Sequence, residues 1–302
     1  FFERSERMAS YAFDWVDAFT DTPFGGNGCV VVHGADGLAV ADRLALVRET
    51  SLSECAYLVA SDVADFGARY YLADREIPFA GHPTIATVAS LLQRGLVAPG
   101  QSFSLETGAG VFPIRIEAGA ERPLIVMTQR APEFGPVQDR GEIAAMYGLA
   151  AQDLAADPDI VSTGTAFCIA LLRDKDAQRR AMLDTRRLAD WRAGLGDVRA
   201  AVMEPFLITL GGATAQGDVF SRLLLPPPLP PEDPFTGSAT GCMAAYLWAR
   251  GLIDQPGFVA EQGHWMGRPG QAQVRVLGPR DAITGVEVAG TGVVVMDGRL
   301  TV

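Results

Sequence analysis

His82, Asp233 and Ser238 are the polar side chains whose placement invites chemistry, because each stands at the same kind of point in a repeated segment. Glu76-Ile-Pro-Phe-Ala-Gly-His-Pro-Thr leads through an Ala- and Leu-rich stretch to Arg94-Gly95-Leu96. Glu232-Asp-Pro-Phe-Thr-Gly-Ser-Ala-Thr leads likewise to Arg250-Gly251-Leu252. The offset is 156 throughout, without a gap, and 10 of 21 residues are identical, where unrelated segments would share about one or two. The duplication is unequal. Asp233 stands where the first copy has Ile77, and His82 stands where the second has Ser238. Two ordinary core helices would account for the repeat, but core helices need neither a carboxyl nor an imidazole at their entrances.

The elements that must hold these groups follow from the repeat itself. Pro78 and Pro234 stop an incoming strand, because proline has no N–H to give a sheet ladder. Gly81 and Gly237 permit a tight turn or a close backbone approach. Thr84 and Ser238 are candidate caps for the helices that follow, and Gly95 and Gly251 close them. Ile85, Val88, Leu91 and Leu92 in one copy, and Met243, Tyr246, Leu247 and Trp248 in the other, make helices apolar nearly all round, hence buried. The start of such a helix leaves backbone N–H groups unpaired, so each entrance is a potential anion site. Two entrances related by a pseudo-two-fold would grip one carboxylated substrate between them.

Composition narrows the function. The 302 residues suffice for two units of about 150. A formal charge of −11 argues against a nucleic-acid partner, whose affinity rests on neutralised phosphates. It leaves a small anionic metabolite open, since helix dipoles act locally. Cys29, Cys55, Cys168 and Cys242 show no C-x-x-C spacing, which suits free thiols in a reducing, cytoplasmic compartment. His33, His82 and His264 are too scattered for ligand spacing, so no metal site is expected. No run approaches a membrane span. Phe1–Ser10 has no apolar core and reads as a leader outside the fold.

Along the chain, strands are expected at Tyr11–Asp17, Cys29–His33, Ala68–Ala73, twice within Gln101–Glu117, and at Leu124–Thr128. A helix is expected at Val40–Thr50, with Val40, Leu44 and Val47 on one face. Arg130–Val137 reads as a linker. Helical pieces are expected at Arg140–Tyr147, Ala150–Ala156, Ala177–Met182 and Thr185–Ala193. Further strands fall at Thr165–Arg173, Val198–Met203, Phe206–Leu210 and Asp218–Leu225, then near Gln273–Leu277, Gly285–Ala289 and Gly292–Met296. This is α+β: two halves, each a sheet wrapped around a central helix. Gly25-Gly26-Asn27-Gly28 precedes a strand, so the dinucleotide fingerprint fails its context.

Taken in order, several motifs resemble the PhzF-like phenazine-biosynthesis isomerase family. They are Asp17-Ala-Phe-Thr with Pro23-Phe-x-Gly-Asn27, Leu52-Ser-Glu54, Glu76-x-Pro-Phe-Ala-Gly-His82-Pro, Phe220-Ser, Glu232-Asp233-x-x-Thr-Gly-Ser238-Ala and Gly267-Arg268-Pro269. They span about residue 11 to the C-terminus. The resemblance implies the diaminopimelate-epimerase fold, two pseudo-symmetric β-barrel-like halves. The last strand then returns to the first half, giving residues 11–129 plus about 286–302 as one half and 130–285 as the other. It also implies a homodimer, and an isomerase working without a cofactor.

By the same resemblance, Glu54 shuttles the proton and His82, Asp233 and Ser238 join it at the site; the helix-entrance argument adds Gly81 and Gly237 as substrate contacts, and Asn27 is near enough in the motif to reach it. The residues themselves allow blander readings. Glu54 would serve as a loop glutamate, His82 and Ser238 as caps, Asp233 and Asn27 as turn residues. Yet Glu54 lies among Leu52, Ala56, Tyr57 and Leu58, an apolar setting that suits a carboxyl of raised pKa. Two-thiol racemases of this fold carry cysteines where this chain has Ala80 and Thr236, which argues against a racemase. A metabolite-binding protein without catalysis would be expected to lack Glu54.

Overall fold

The computed structural model describes residues 8–119, 122–196 and 202–302. Within them the duplication extends from one segment to the whole topology. In the first half come β1 (Ser10–Ala18), β2 (Asn27–Val32), helix α1 (Val40–Thr50), β3 (Cys55–Val59), β4 (Phe66–Tyr71), β5 (Glu76–Ile77), helix α2 (Gly81–Gln93), β6 (Ser102–Thr107), β7 (Gly110–Glu117) and β8 (Leu124–Gln129). In the second come β9 (Glu133–Val137), α3 (Arg140–Met146), β10 (Asp159–Ser162), β11 (Ala166–Leu171), α4 (Lys175–Arg180), α5 (Thr185–Gly194), β12 (Phe206–Leu210), β13 (Val219–Leu224), β14 (Glu232–Asp233), α6 (Gly237–Ala249), β15 (Gly257–Gln262), β16 (Gly270–Leu277) and β17 (Gly285–Gly290). β18 (Gly292–Thr301) ends the chain.

Strand neighbours run β18-β1-β2-β3-β4-β6-β7-β8 in one half and β9-β10-β11-β12-β13-β15-β16-β17 in the other. The parallel pairs fall at the same places, β2/β3 against β11/β12 and β4/β6 against β13/β15. Antiparallel β8–β17 joins the halves. This is the mixed fold of one large sheet system with few helices.

α2 and α6 sit at the centre, each buried from its first residue through Leu91 or Leu247. Their apolar residues have no solvent-facing side, so surrounding sheet must cover them all round. Both end alike. Gly95 and Gly251 each take φ 67°, a left-handed conformation that favours glycine. The Leu96 N–H then reaches the Leu91 carbonyl, and the Leu252 N–H the Leu247 carbonyl, both at 2.9 Å.

Several expectations need correction. Arg130–Val137 is no linker: Glu133–Val137 forms β9, an exposed edge strand paired with β10. The helix expected at Ala150–Ala156 is a single 3-10 turn, Ala151–Asp153. β17 pairs with both β16 and β8 and so forms the seam between the halves, and β18 from Gly292 pairs with β1. Ser10 already belongs to β1, and Ala9 accepts a bond from the Val302 N–H, so these two residues of the expected leader are part of the fold. Residues 1–7 of that leader, and 198–201 of the strand expected at Val198–Met203, lie outside the described residues; Val202 forms a bridge with Ala166. No helix among the described residues is long and apolar enough to cross a membrane.

Candidate active site

The helix starts are not capped as expected. α2 begins at Gly81 and α6 at Gly237, with Ala80 and Thr236 in the capping positions and no side-chain cap at either. Thr84 instead donates back to the Ala80 carbonyl at 2.7 Å, and its counterpart Thr240 to the Thr236 carbonyl at 2.9 Å. Ser238 is already inside the helix. Among the described residues, the backbone N–H groups of Gly81, His82, Gly237 and Ser238 meet no protein acceptor. The two starts touch. A Cβ on Gly81 would collide with the backbone of Gly237 and Ser238, so glycine is what lets the helices meet.

Beside this junction lies an enclosed cavity of about 380 Å³. Ser53, Glu54, Asp233, Thr236 and Ser238 are polar residues of its lining. Ile77, Pro78 and Phe79 bring the approach to the first entrance to this cavity, and Asp233, Thr236 and Ser238 bring the second; Gly81, His82, Gly237 and Asn27 are not among the residues that line it.

Glu54 immediately precedes β3 and comes from the first half, whereas Asp233 ends β14 of the second. The side chain of Glu54 is only 16% exposed, and Oε2 has no hydrogen-bond partner among the described residues. Burial, then the neighbouring charge of Asp233, pushes its carboxyl well above the ordinary glutamate range. His82, 2% exposed, places Nδ1 3.5 Å from Glu54 Oε2. This is an approach and no ion pair, since burial drives the imidazole down to about 3 and leaves it neutral.

Asp233 is 4% exposed and raised to about 6, burial outweighing the hydrogen bonds that oppose it. Those bonds come from Thr236 Oγ1, 2.6 Å from Oδ2, and from Asn27 Nδ2, 2.8 Å from Oδ1, and the Ser53 hydroxyl near the same carboxylate adds to them. Asn27 Nδ2 also donates to the Phe235 carbonyl at 2.9 Å and lies 3.1 Å from His82 Nδ1. Its amide is thus engaged with Asp233, the Phe235 carbonyl and His82. Arg268, in the Gly267-Arg268-Pro269 motif, fixes the loop before Asn27. Its guanidinium donates to the Gly25 and Gly26 carbonyls and pairs with Asp17 at 2.7 Å.

Three contributors escape sequence reasoning. Gln262, wholly buried at the end of β15, donates to the Asp233 carbonyl at 2.7 Å and accepts from the Thr236 N–H at 3.0 Å. Gln129, at the end of β8, donates to the Gly237 carbonyl at 2.9 Å. Ser53 lines the cavity, its hydroxyl near Asp233 but without a hydrogen bond of good geometry. A buried glutamine carries no sequence signature, because its partners are decided by tertiary contact. Ser53 and Thr236 do stand inside recognisable motifs, and their neighbours drew the attention. Thr236, singled out in the sequence only for standing where a two-thiol racemase has a cysteine, holds the carboxylate of Asp233.

The cysteines take no part in this constellation. All four are buried, none lines the cavity, and burial pushes Cys55 to about 12 and Cys242 to about 11. Among the described residues no three His, Cys, Asp or Glu side chains are grouped so as to hold a metal ion.

The profile of the family described as phenazine biosynthesis-like protein matches residues 16–298. The uncharacterized isomerase YfhB of Bacillus subtilis is 30% identical over 86% of this chain and 88% of its own. The trans-2,3-dihydro-3-hydroxyanthranilate isomerase of Pseudomonas aeruginosa is 29% identical over 94% and 97%. Among solved structures, the phenazine biosynthesis protein of the PhzF family from Bacillus anthracis superposes with TM-score 0.83 at 27% identity, covering 98% of this chain and all of the other. A hydroxyproline epimerase from Agrobacterium vitis shares the fold alone, at TM-score 0.66 and 14% identity, over 99% of this chain and 94% of the other. Profile, relatives and fold agree, and the chain belongs to the phenazine biosynthesis-like family.

Proposed function

We propose that this member of an isomerase family moves a proton between two carbons of a small carboxylated metabolite, using its own side chains and no cofactor. The observation that carries the reading is Glu54. It is a carboxyl at the cavity wall with an unpartnered oxygen, held above its ordinary pKa by burial and by Asp233. A carboxyl tuned upward serves both as the base that takes a proton from carbon and as the acid that returns it elsewhere. The proton lost at one carbon is regained at another, so the step needs no oxidant or second substrate.

The substrate carboxylate docks at Ser238, where the N-terminal dipole of α6 and unpaired backbone N–H groups favour negative charge. As the proton leaves carbon, charge spreads onto that carboxylate, and the same donors stabilise it more strongly. Asp233 stays largely ionised at neutral pH and keeps Glu54 protonatable; the two titrate as a coupled pair. Neutral His82 backs Glu54 without neutralising it. The racemase alternative needs thiols at Ala80 and Thr236, and the cysteines present lie away from the cavity. A binding protein without chemistry would leave a strained buried carboxyl without purpose.

The test is solvent exchange. In D₂O the protein should place deuterium into its substrate, and Glu54→Gln should slow this by at least about 10²-fold while substrate still binds. Exchange at the unaltered rate in that variant would refute the assignment.

A further inference from the structure

The cavity lining is of two kinds. Ser53, Glu54, Glu76, Ser162, Thr165, Asp233 and Ser238 are polar, and most of the rest is apolar, with Leu72, Phe79, Phe167, Leu223, Leu225 and Leu229 the bulkiest. Both halves contribute to each kind. Arg75 is the one basic side chain among the lining residues. It is 53% exposed and already paired with Asp74 at 2.9 Å. A second carboxylate or a phosphate reaching toward the leucines would be buried with no free cation to pair it, which is unfavourable. A hydrocarbon there removes apolar surface from water on both sides.

The polar lining shows the complementary need. Ser53 is 7% exposed and its hydroxyl, which approaches Asp233, makes no hydrogen bond of good geometry, although buried hydroxyls are nearly always satisfied. It stands with Ser238 and the start of α6, and a single ligand carboxylate would complete it.

We propose that the substrate is a monocarboxylate with a bulky apolar body. Its carboxylate lies between Ser53 and Ser238, and its hydrocarbon lies against Phe79, Phe167 and the leucines. Dicarboxylates, phosphate esters and small polar amino acids are poor ligands for this site. The inference rests on the reading that a carboxylate docks at Ser238, and it adds the chemistry of the rest of the molecule. The volume, about 380 Å³, lies at the lower end of pockets that enclose a ligand larger than a single small acid.

The test is calorimetric titration of the unaltered protein with four probes: acetate, trans-cinnamate, itaconate and cinnamyl alcohol. The proposal expects trans-cinnamate to bind at least about tenfold tighter than acetate, within the range that apolar contacts confer. Itaconate, a dicarboxylate, should bind no better than acetate, and cinnamyl alcohol should bind more weakly than cinnamate. Leu229→Asn, at the partly buried rim, should weaken cinnamate several-fold and leave acetate unchanged. Ser53→Ala should weaken both acids alike. Itaconate binding more tightly than cinnamate, or cinnamate no more tightly than acetate, overturns the proposal. So does an alcohol equal to the acid, or no binding by any probe. Proton exchange dependent on Glu54 would survive each of these results, so the failure of this inference is separable from failure of the proposed reaction.

Discussion

The entrances of α2 and α6 share a backbone and differ in everything chemical. Both follow a two-residue strand and a Pro-Phe pair, and both start at a glycine with unpaired N–H groups. At the first, Ile77 and Ala80 are apolar, and His82 lies neutral behind the cavity wall. At the second, Asp233, Thr236 and Ser238 open into the cavity. The first half supplies a carboxyl of raised pKa from elsewhere, at Glu54. A duplication can therefore provide the scaffold twice while chemistry needs it once. The retired entrance then serves as the packing partner that fixes the working one.

That division of labour can be broken at its contact point. Gly81→Ala drives a methyl into the backbone of Gly237 and Ser238, which cannot give way as a flexible side chain would. Overpacking of this kind costs about 1–3 kcal/mol. The larger consequence is a displaced α6 start, so carboxylate binding should vanish. Urea unfolding combined with cinnamate titration measures both. Full binding with unchanged stability would show that the helix contact is incidental.

The far ends of the helices sharpen the comparison, because there the copies agree. Arg94 clamps Asp14 of β1 at 2.7 and 2.8 Å, and Arg250 clamps Asp159 of β10 at 2.6 Å. Asp14 keeps further partners in Ser90 at 2.5 Å and His33 at 3.2 Å, while Asp159 Oδ1 has none among the described residues. Arg250→Met should therefore cost more than Arg94→Met, the difference lying within the ~1–3 kcal/mol of an unsatisfied buried group. Denaturant midpoints decide the order, and equal losses would contradict it.

The pH dependences also oppose. Burial would raise Asp14, but bonds from Arg94 and Ser90 outweigh it and lower its pKa, so its contribution is present above the ordinary aspartate range and is lost as pH falls. Burial raises Asp159 despite Arg250, so its contribution falls as pH rises through that window.

The smallest expected effect is a shift in a titration. The bond from Thr236 lowers the pKa of Asp233, so Thr236→Val should move its midpoint above about 6. Gln262→Leu should move it the same way and less, because Gln262 acts on Asp233 through Thr236 and the backbone. Carbon-13 carboxyl shifts across pH would report both. A midpoint that falls in either variant would rule out this positioning role.

How much of this was legible in the sequence depends on what each residue answers to. The repeat disclosed both helices and their closing glycines, since an all-apolar run ending in Arg-Gly-Leu has few other structural solutions. β9 was read as a linker because all five of its residues are exposed, leaving no burial alternation to see. β10 and β15 were missed because Asp159, Glu261 and Gln262 are buried by hydrogen bonds rather than by hydrophobicity. The same blindness hid Gln262 and Gln129 at the site. Glu54 stood in view as a residue, but its meaning depended on Asp233, 179 positions away in the sequence.

The central claim is that Glu54 carries the proton because burial and Asp233 hold its pKa high. The direct measurement is the titration of the Glu54 carboxyl by carbon-13 NMR, in the unaltered protein and in Asp233→Asn. The account predicts a midpoint well above the ordinary value of about 4.3, and a clear fall when the neighbouring charge is removed. A Glu54 that titrates at the ordinary value, and does not respond to the loss of Asp233, would contradict it.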